Sequence, residues 1–458
     1  MARTPDEWLP ILAKRLDERR PRVDVLRSYA NGNAPLPEMG RNVRASWSQW
    51  QKKARANLGG LAVEAPANRM VPNGVQVGQA NQDDDRVRGI WRRNRLDVAI
   101  PDVIRDALAT SIGYIVVGRD AFGRAVITAE QPEYMYAATD PLQPWVSRAA
   151  IKVWRDIDEG YDYAFVWIPG QRQKFARPAK DEKTLRPWDR AQDGNWFPVA
   201  EPETFTGPIP VFALENHGGT GEFEEHTDLI DRINTGILQR LSTVAMQAFR
   251  QRATKGGLQT TDADGNPIDY AAVFEPAPGA LWDLPEGIDI WESQDSSQGI
   301  RAMLESVKDD LREFSGTLSV PLGPMLQDAA NQSAEGAAYN KEGLIFKVRD
   351  RIARFTPPLE AALETALRIE YPEVTESVTL RWMPPEHVSL QEKYAAAVQA
   401  KAADVPWRTR MTSILGFSDE TVDRMEVEVA AEQLQLAMLF QQQQPPAENP
   451  GVVNVGGN

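Results

Sequence analysis

Two long helical patterns on either side of a stretch without helical periodicity constrain the fold of this chain most. The first, over about residues 223–254, repeats apolar residues every three or four positions and stops at Gly256–Gly257. In the second pattern, the apolar residues form a seam that is narrower than the face with which most helices contact a core. A seam this narrow predicts a helix that packs beside similar helices and leaves much of its surface to another partner. Its apolar residues are Ile300, Leu304, Val307, Leu311, Phe314 and Leu318.

A soft polar segment follows the second pattern. In "VPLGPMLQDAANQSAEGAAYNKEGLIF", residues 320–346, a Pro-Leu-Gly-Pro turn precedes a small polar run from Gln327 to Ser333. A helical pattern follows at once, with Ser333 as a favourable N-cap. Pro357–Pro358 lies inside this pattern and predicts a kink or a break.

Short strands dominate residues 113–178. Runs such as "GYIVVGRD" and "YDYAFVWIP" are rich in Val, Ile and aromatic residues and are bounded by Gly, Pro or Asp, which predicts an antiparallel meander. Two amphipathic helices precede them, and we expect these to divide near Asp97–Pro101. "SVTLRWMPP" predicts one more strand, and helices are expected over about 389–404 and 419–444. The predicted fold class is α+β.

Composition limits the function classes. The chain of 458 residues has no cysteine, which excludes disulfides and thiolate metal sites. The formal net charge of −14 fits a chain with no nucleic-acid partner, or a surface that DNA passes without sticking, and charge alone does not separate the two. The charged N-terminus is unlike a signal peptide and no apolar run reaches the length of a membrane span, so we expect a soluble intracellular protein.

Motifs for catalysis are missing from the sequence. It contains no P-loop, no G-x-S-x-G, no H-E-x-x-H and no cysteine nucleophile, and we expect no enzyme activity, no cofactor and no metal site. Asp83–Asp85, and His226 with its acidic neighbours, are interpreted as helix starts and not as metal ligands. The basic stretch Arg86–Arg95 contains Trp91, which fits nucleic-acid contact in principle. A solvated helix face with arginines paired to acids is the preferred interpretation.

The order of several phrases resembles a known family. "WRRNRLDVAIPDVIRDALATSIGYIVVGRDAFGRAVITAEQPEYMYAATDP" is followed by "GPIPVFALEN", by "LIDRIN" and, after the insert, by "FSGTLSVPLGPML" and "NQSAEG". Over residues 5–440 the chain resembles the portal proteins of tailed double-stranded-DNA phages, in the branch common among phages of actinobacteria. Each phrase is short, and it is their order that carries the resemblance.

The resemblance implies a portal-protein fold with a mixed wing containing antiparallel strands, two stem helices, a clip insert, a long kinked helix and a helical crown. The implied bounds are 1–222 for the wing, 223–256 and 299–321 for the stem helices, 257–298 for the clip, 322–336 for the tunnel loop, 337–387 for the kinked helix and wing strand, 388–444 for the crown and 445–458 for a disordered tail.

The resemblance also implies a function and a set of site residues. The family forms a ring, twelve-fold in the virion, at one capsid vertex, through which double-stranded DNA is packaged and ejected. The partners it implies are the terminase large subunit, the major capsid protein and the head–tail adaptor, after assembly in the host cytoplasm. Tunnel-loop residues facing DNA would be Gln327, Asp328, Asn331, Gln332 and Ser333, stem residues facing DNA would be Arg301, Lys308 and Arg312, and subunit packing would use Ile300, Leu304, Val307, Leu311 and Phe314.

Two alternatives remain open from the sequence. A hydrolase built on the strand-rich zone would require two buried carboxylates with shifted pKa values in one cleft. An oligomeric scaffold that never contacts DNA would require only the subunit contacts.

Overall fold

The computed structural model describes residues 3–37, 44–79, 83–179, 190–248, 252–255, 261, 264–267, 289–292, 297–322, 334–386, 390–417 and 419–442. The longer helices are α1 (Pro5–Ala30), α2 (Arg44–Ala54), α3 (Leu58–Ala67), α4 (Asp85–Arg93), α5 (Leu96–Thr110), α6 (Thr227–Ala248), α7 (Ser297–Leu318), α8 (Ala334–Glu370), α9 (Leu390–Ala402) and α10 (Asp419–Gln442). The strands are β1 (Pro72–Val77), β2 (Ile112–Arg119), β3 (Ala125–Glu130), β4 (Met135–Thr139), β5 (Ser147–Asp156), β6 (Tyr161–Ile168), β7 (Gln171–Pro178), β8 (Phe197–Pro198), β9 (Glu203–Thr204), β10 (Val211–Glu215), β11 (Arg252–Lys255), β12 (Asp289–Glu292) and β13 (Val378–Trp382).

The chain divides into two compact units. The first comprises Met1–Asp24, Val63–Gly221 and Glu342–Asn458, and the second comprises Val25–Ala62 and Glu222–Lys341. Helices and antiparallel strands both occur, so the predicted α+β class is confirmed.

An antiparallel sheet in the order β4-β5-β6-β7-β8 forms the centre of the first unit, with β9 paired to β7. Because side chains alternate along a strand, Ile151 and Val166 share one face with Phe175. This face packs against Trp8, Leu12 and other residues of α1, and together they form a buried cluster. The meander predicted from the sequence is confirmed over β4 to β7.

A smaller sheet in the order β10-β2-β3 contributes a second buried cluster, which includes Tyr114 and Trp167. Helix α5 lies close against β2 at Gly113. A Cβ atom at this position would lie 2.5 Å from the carbonyl oxygen of Val103, so only glycine allows the approach.

The side chain of Arg19 links α1 to the larger sheet and to the smaller sheet of the first unit. Its guanidinium donates to the hydroxyl of Tyr114 at 2.7 Å and to the carbonyl oxygens of Pro132 and Met135. It also lies 5.1 Å from the ring centre of Tyr136, within cation–π range. One side chain thus satisfies several acceptors and links the helix to the strands.

Two helix predictions differ from the structure, and a third is narrowed by it. Helices α4 and α5 divide at Arg95, whose backbone is left-handed at φ 52°, and Pro101 lies inside α5. Helix α8 continues through Pro357–Pro358, so of the two predicted outcomes a break is excluded and the kink stays a prediction. Helix α6 covers 227–248 and is shorter than predicted, because 224–226 form a 3-10 turn and 252–255 form a strand.

None of the described helices combines the length and the apolar character needed to cross a membrane.

A buried ion network crosses β5, β6 and β7. The carboxylate of Asp162 lies 2.6 Å from Nε of Arg155 and 3.3 Å from Nη2 of Arg177, and the three side chains are at most 7% exposed. Burial lowers the pKa of Arg177, and the charge of Asp162 opposes this effect. One carboxylate therefore compensates two buried guanidinium groups.

Substituting Asp162→Asn keeps the side-chain volume and removes the carboxylate charge that Arg155 and Arg177 share. We expect the free energy of unfolding of the first unit to fall by about 3–5 kcal/mol, as for other buried pairs that lose one partner. Urea denaturation followed by tryptophan fluorescence measures the change. In the matched control, Glu18→Gln removes the exposed pair with Lys14, 3.9 Å long, and should cost less than about 1 kcal/mol. Equal effects of the two substitutions would contradict the prediction.

Candidate functional site: the paired helices of the second unit

Helices α6 and α7 pack against each other as an antiparallel pair. Near the start of α6, Nε of Arg232 lies 3.1 Å from Oδ1 of Asp310, in the second half of α7. Towards the end of α6, Oγ1 of Thr243 lies 3.8 Å from Sδ of Met303, near the start of α7. The start of each helix therefore lies beside the end of the other.

The two helices approach most closely at Gly236. A Cβ atom on this residue would lie 2.9 Å from Cγ2 of Val307, closer than ordinary van der Waals contact. A glycine inside a helix costs about 1 kcal/mol relative to alanine, and the close contact explains its presence here. Gly236 and Arg232 are not among the residues predicted from the sequence, although an isolated glycine in a helical pattern is a recognised sign of close packing.

The pair continues into a two-stranded antiparallel ladder. Arg252 pairs with Glu292, and Lys255 pairs with Asp289. Opposed residues keep one register in the helix pair and in the ladder, since 236 with 307 and 252 with 292 add to nearly the same number. The described parts of α6, β11, β12 and α7 therefore pair as the two arms of a hairpin. Of the predicted clip, 257–298, most residues lie outside the described part of the chain, and its assignment stays a prediction.

The apolar seam of α7 is covered unevenly by the chain itself. Val307, Phe314 and Leu318 are buried, whereas Ile300, Leu304 and Leu311 are half-buried. The predicted subunit-packing residues therefore divide into two sets. Val307 and Phe314 contribute to the core of one chain, and Ile300, Leu304 and Leu311 keep surface for another contact.

The predicted stem cations lie on the accessible surface of α7. Nζ of Lys308 lies 3.0 Å from Oε1 of Glu305, and Nη1 of Arg312 lies 2.5 Å from Oδ1 of Asp309. Arg301 is exposed, and no ion pair to it is found among the described residues. Helix α7 holds these three cations and four carboxylates, so its surface carries alternating charge of both signs.

The predicted tunnel-loop residues, Gln327, Asp328, Asn331, Gln332 and Ser333, lie outside the described residues. Their role as a DNA-facing segment stays a prediction.

Polar contacts hold the start of α6 within the second unit. The hydroxyl of Tyr29 donates to Oδ2 of Asp231 at 2.8 Å, and the backbone N–H of Ala56 donates to Oδ1 of the buried Asn234 at 2.9 Å. Burial raises the pKa of Asp231, and the nearby charge of Asp228 raises it further. These contacts bind the start of α6 to the end of α1 and to the segment after α2.

The two charged stretches considered from the sequence are structural. Asp84 caps α4 by accepting from the N–H groups of Arg86 and Val87, so the helix-start interpretation of Asp83–Asp85 is confirmed at this residue. No group of three metal-ligating side chains occurs in the part of the chain that the structure describes. Four of the five arginines of the basic stretch pair with acids. Trp91 is half-buried and donates to Asp97 at 2.8 Å. These arginine pairs are Arg86 with Asp84, Arg88 with Asp85, Arg92 with Glu420 and Arg93 with Glu370.

Two neighbouring carboxylates in the first unit raise the question of acid–base chemistry. Burial and the charge of Asp419 raise the pKa of Asp83. Both carboxylates are bound by Nη2 of Arg381, at 2.9 Å for Asp83. Asp83 lines a cavity of about 240 Å³, whereas Asp419 is not part of its lining. A shared arginine stabilises the charged form of both groups, as in a structural ion network. Asp83 and Asp419 therefore belong to one ion network around Arg381.

The close contact at Gly236 gives a test of the helix pair. Gly236→Leu places a side chain against Val307 and should lower stability by about 1–3 kcal/mol, the usual cost of overpacking. Gly316 on α7 has no heavy atom within 4 Å of an added Cβ, so Gly316→Leu should stabilise the helix by up to about 1 kcal/mol. Thermal unfolding followed by circular dichroism compares the two variants. A neutral effect at Gly236 would mean that α6 and α7 do not approach closely there.

Comparison with known protein families matches residues 11–435 to the family described as phage portal protein, SPP1 Gp6-like. The chain is also similar to the portal protein of Mycobacterium phage D29, with 23% identity over 402 residues that cover 81% of this chain and 78% of the relative. The resemblance to actinobacterial phage portals found in the sequence is thereby confirmed.

Two solved structures are similar to this chain at low identity. One is the neck of the native gene transfer agent particle computed with C12 symmetry, with a TM-score of 0.43 and 13% identity over 85% of this chain and 97% of that chain. Another is the virion of the native gene transfer agent particle, with a TM-score of 0.39 and 14% identity over 84% and 93% of the two chains. Because the family match covers nearly the whole sequence, the chain belongs to the SPP1 Gp6-like family of phage portal proteins.

Proposed function

We propose that copies of this chain form a ring at one vertex of a phage capsid and that double-stranded DNA is packaged and ejected through the ring. Membership of the portal family is the observation that carries the proposal. The α6–α7 hairpin supports it, because its half-buried residues Ile300, Leu304 and Leu311 offer each copy a surface for a neighbour. We propose twelve copies in the virion.

The charge distribution suits a channel that DNA must pass without being held. Contacts from Lys and Arg to phosphate give tight, salt-dependent binding, which would slow a moving duplex. On α7, Lys308 and Arg312 are each paired with an acid one turn away, so little net positive charge is presented. The net charge of −14 means that the chain as a whole also has no excess of positive charge that would hold DNA.

The remaining assignments follow from the family. We propose that 257–298 contacts the terminase large subunit during packaging and the head–tail adaptor afterwards, and that the wing contacts the major capsid protein. Residues 327–333 would line the narrowest part of the channel, where small polar side chains can follow a moving duplex. The ring would assemble in the host cytoplasm, and the protein itself would hydrolyse no nucleotide.

Electron microscopy of the purified chain tests the ring directly. We expect closed rings in negative stain with a central channel of roughly 20 Å or more, wide enough for a duplex whose major groove alone measures about 12 Å. A monomer at micromolar concentration, with no ring when terminase and capsid protein are added, would refute the proposal. A ring whose channel is too narrow for a duplex would favour a scaffold without DNA contact.

The stem cations test the contact with DNA. The triple variant Arg301→Ala, Lys308→Ala and Arg312→Ala should form normal rings and change the amount of packaged or retained DNA. The readout is nuclease-resistant DNA per particle in phage that lack the wild-type gene and receive the variant.

The matched control removes three exposed lysines that belong to other helices, Lys14, Lys52 and Lys401, with the same change of charge. It should leave packaging unchanged. Loss of the ring in the triple stem variant would show that the three cations support assembly and do not face the channel.

A further inference from the structure

The first turns of α10 are firmly anchored in the first unit. The carboxylate of Asp419 is 1% exposed and pairs with Arg381 and with Arg408, at 3.5 Å for the latter. Arg408 also binds Asp423 at 2.7 Å, and Val422 is fully buried. The direction of the helix is therefore fixed at its base.

The distal half of α10 has no cover from the described part of the chain. Every residue from Val427 to Leu436 is exposed, as is Met438. The exposed fractions include 70% for Val427, 59% for Leu434 and 54% for Leu436. A helical segment as short as this distal half, roughly 12 residues, is marginal in water when nothing packs against it. The large number of exposed apolar side chains therefore indicates a missing partner.

These apolar residues lie on two opposite faces of the helix. At about 100° per residue, Leu434 and Met438 project within about 20° of Val427, whereas Val429 and Leu436 project about 180–200° away. Val427, Ala431, Leu434 and Met438 follow the steps of four and three that are typical of helices packed nearly parallel. A single partner helix would cover only one of the faces.

The charged residues of this segment are all negative. Glu428 and Glu432 project between the two apolar faces, and residues 425–442 contain no Lys or Arg. A partner with an anionic surface, such as nucleic acid, is therefore disfavoured.

We propose that the distal half of α10 packs between the same helix of two neighbouring copies, with the Val427–Leu434–Met438 face of one copy against the Val429–Leu436 face of the next. The proposal rests on the proposed ring. A contact between two different faces of identical subunits is head-to-tail, and such contacts close into rings when the rotation allows. Copies related by rotation present parallel helices with matching heights and spacing. Their glutamates then lie on the side between the apolar contacts and remain in water.

The absence of cysteine from the chain makes a direct test possible. A double variant, Leu434→Cys with Leu436→Cys, places one thiol on each apolar face. The two cannot bond within one helix because their Cβ atoms point apart. After oxidation with diamide, we expect a ladder of covalent multimers on a non-reducing denaturing gel. The pair Val427→Cys with Val429→Cys, one heptad earlier, should give the same ladder.

Three controls separate the possible outcomes. Gln433→Cys with Gln435→Cys has the same spacing but projects between the apolar faces, and should stay monomeric on the gel. Each single-cysteine variant should also give no multimers, and efficient dimers from Leu434→Cys alone would show a contact between like faces and overturn the proposal. Ring formation is scored separately by negative-stain microscopy.

Rings without a ladder from either double variant would refute the contact and leave the proposed function intact. Failure of the wild-type chain to form rings would count against the proposed function itself.

Discussion

The narrow contact between α6 and α7 is the constraint on which the second unit depends. The helices meet along one seam, with Gly236 admitting Val307 and Arg232 bound to Asp310 and Glu313. A broader apolar face would require a core on several sides of α7. The observed seam buries Phe314 completely while Arg301 and Arg312 stay exposed. A helix pair built in this way has one covered seam and keeps the rest of its surface accessible.

Most of the described positive charges in the first unit are also bound by groups of the chain itself. Buried cations in the first unit are bound by carboxylates or carbonyl oxygens, as Arg155 and Arg177 are by Asp162 and Arg19 is by Pro132. In the stretch that resembles a nucleic-acid patch in the sequence, Arg92 and Arg93 are paired with acids from α10 and α8. Arginine content alone therefore misleads, because local pairing decides whether a positive surface is available to phosphate.

The sequence predicts the strands of this fold well and some helix ends poorly. Alternating apolar residues bounded by Gly and Pro locate β2 to β7, because a half-buried sheet enforces a period of two. The division at Arg95 could not be predicted, since Pro101 is the stronger breaker signal and arginine rarely adopts a left-handed backbone. Helix α8 continues through Pro357–Pro358, where Phe355 and Leu359 are buried on either side and packing offsets the lost hydrogen bonds.

The candidate site is likewise predicted only in part from the sequence. The heptad steps of α7 identify the seam, since spacing in the sequence determines which residues share a face. Spacing does not reveal which seam residues the chain covers by itself, because that depends on α6, some 70 residues earlier in the chain. The Arg381–Asp419 contact that anchors α10 joins a strand to a helix start, and no local pattern in the sequence signals it.

The two contacts proposed for α10 in each copy would have a consequence for assembly. In an open arc, the copy at each end leaves one apolar face of α10 in water, and closure removes both exposed faces at once. The last contact is formed between copies already held together, so its effective concentration is high. Closure is then favoured over further growth of an arc, although each contact is small and the glutamates of adjacent helices repel. A ring stabilised in this way needs no disulfide, which agrees with a chain that contains no cysteine.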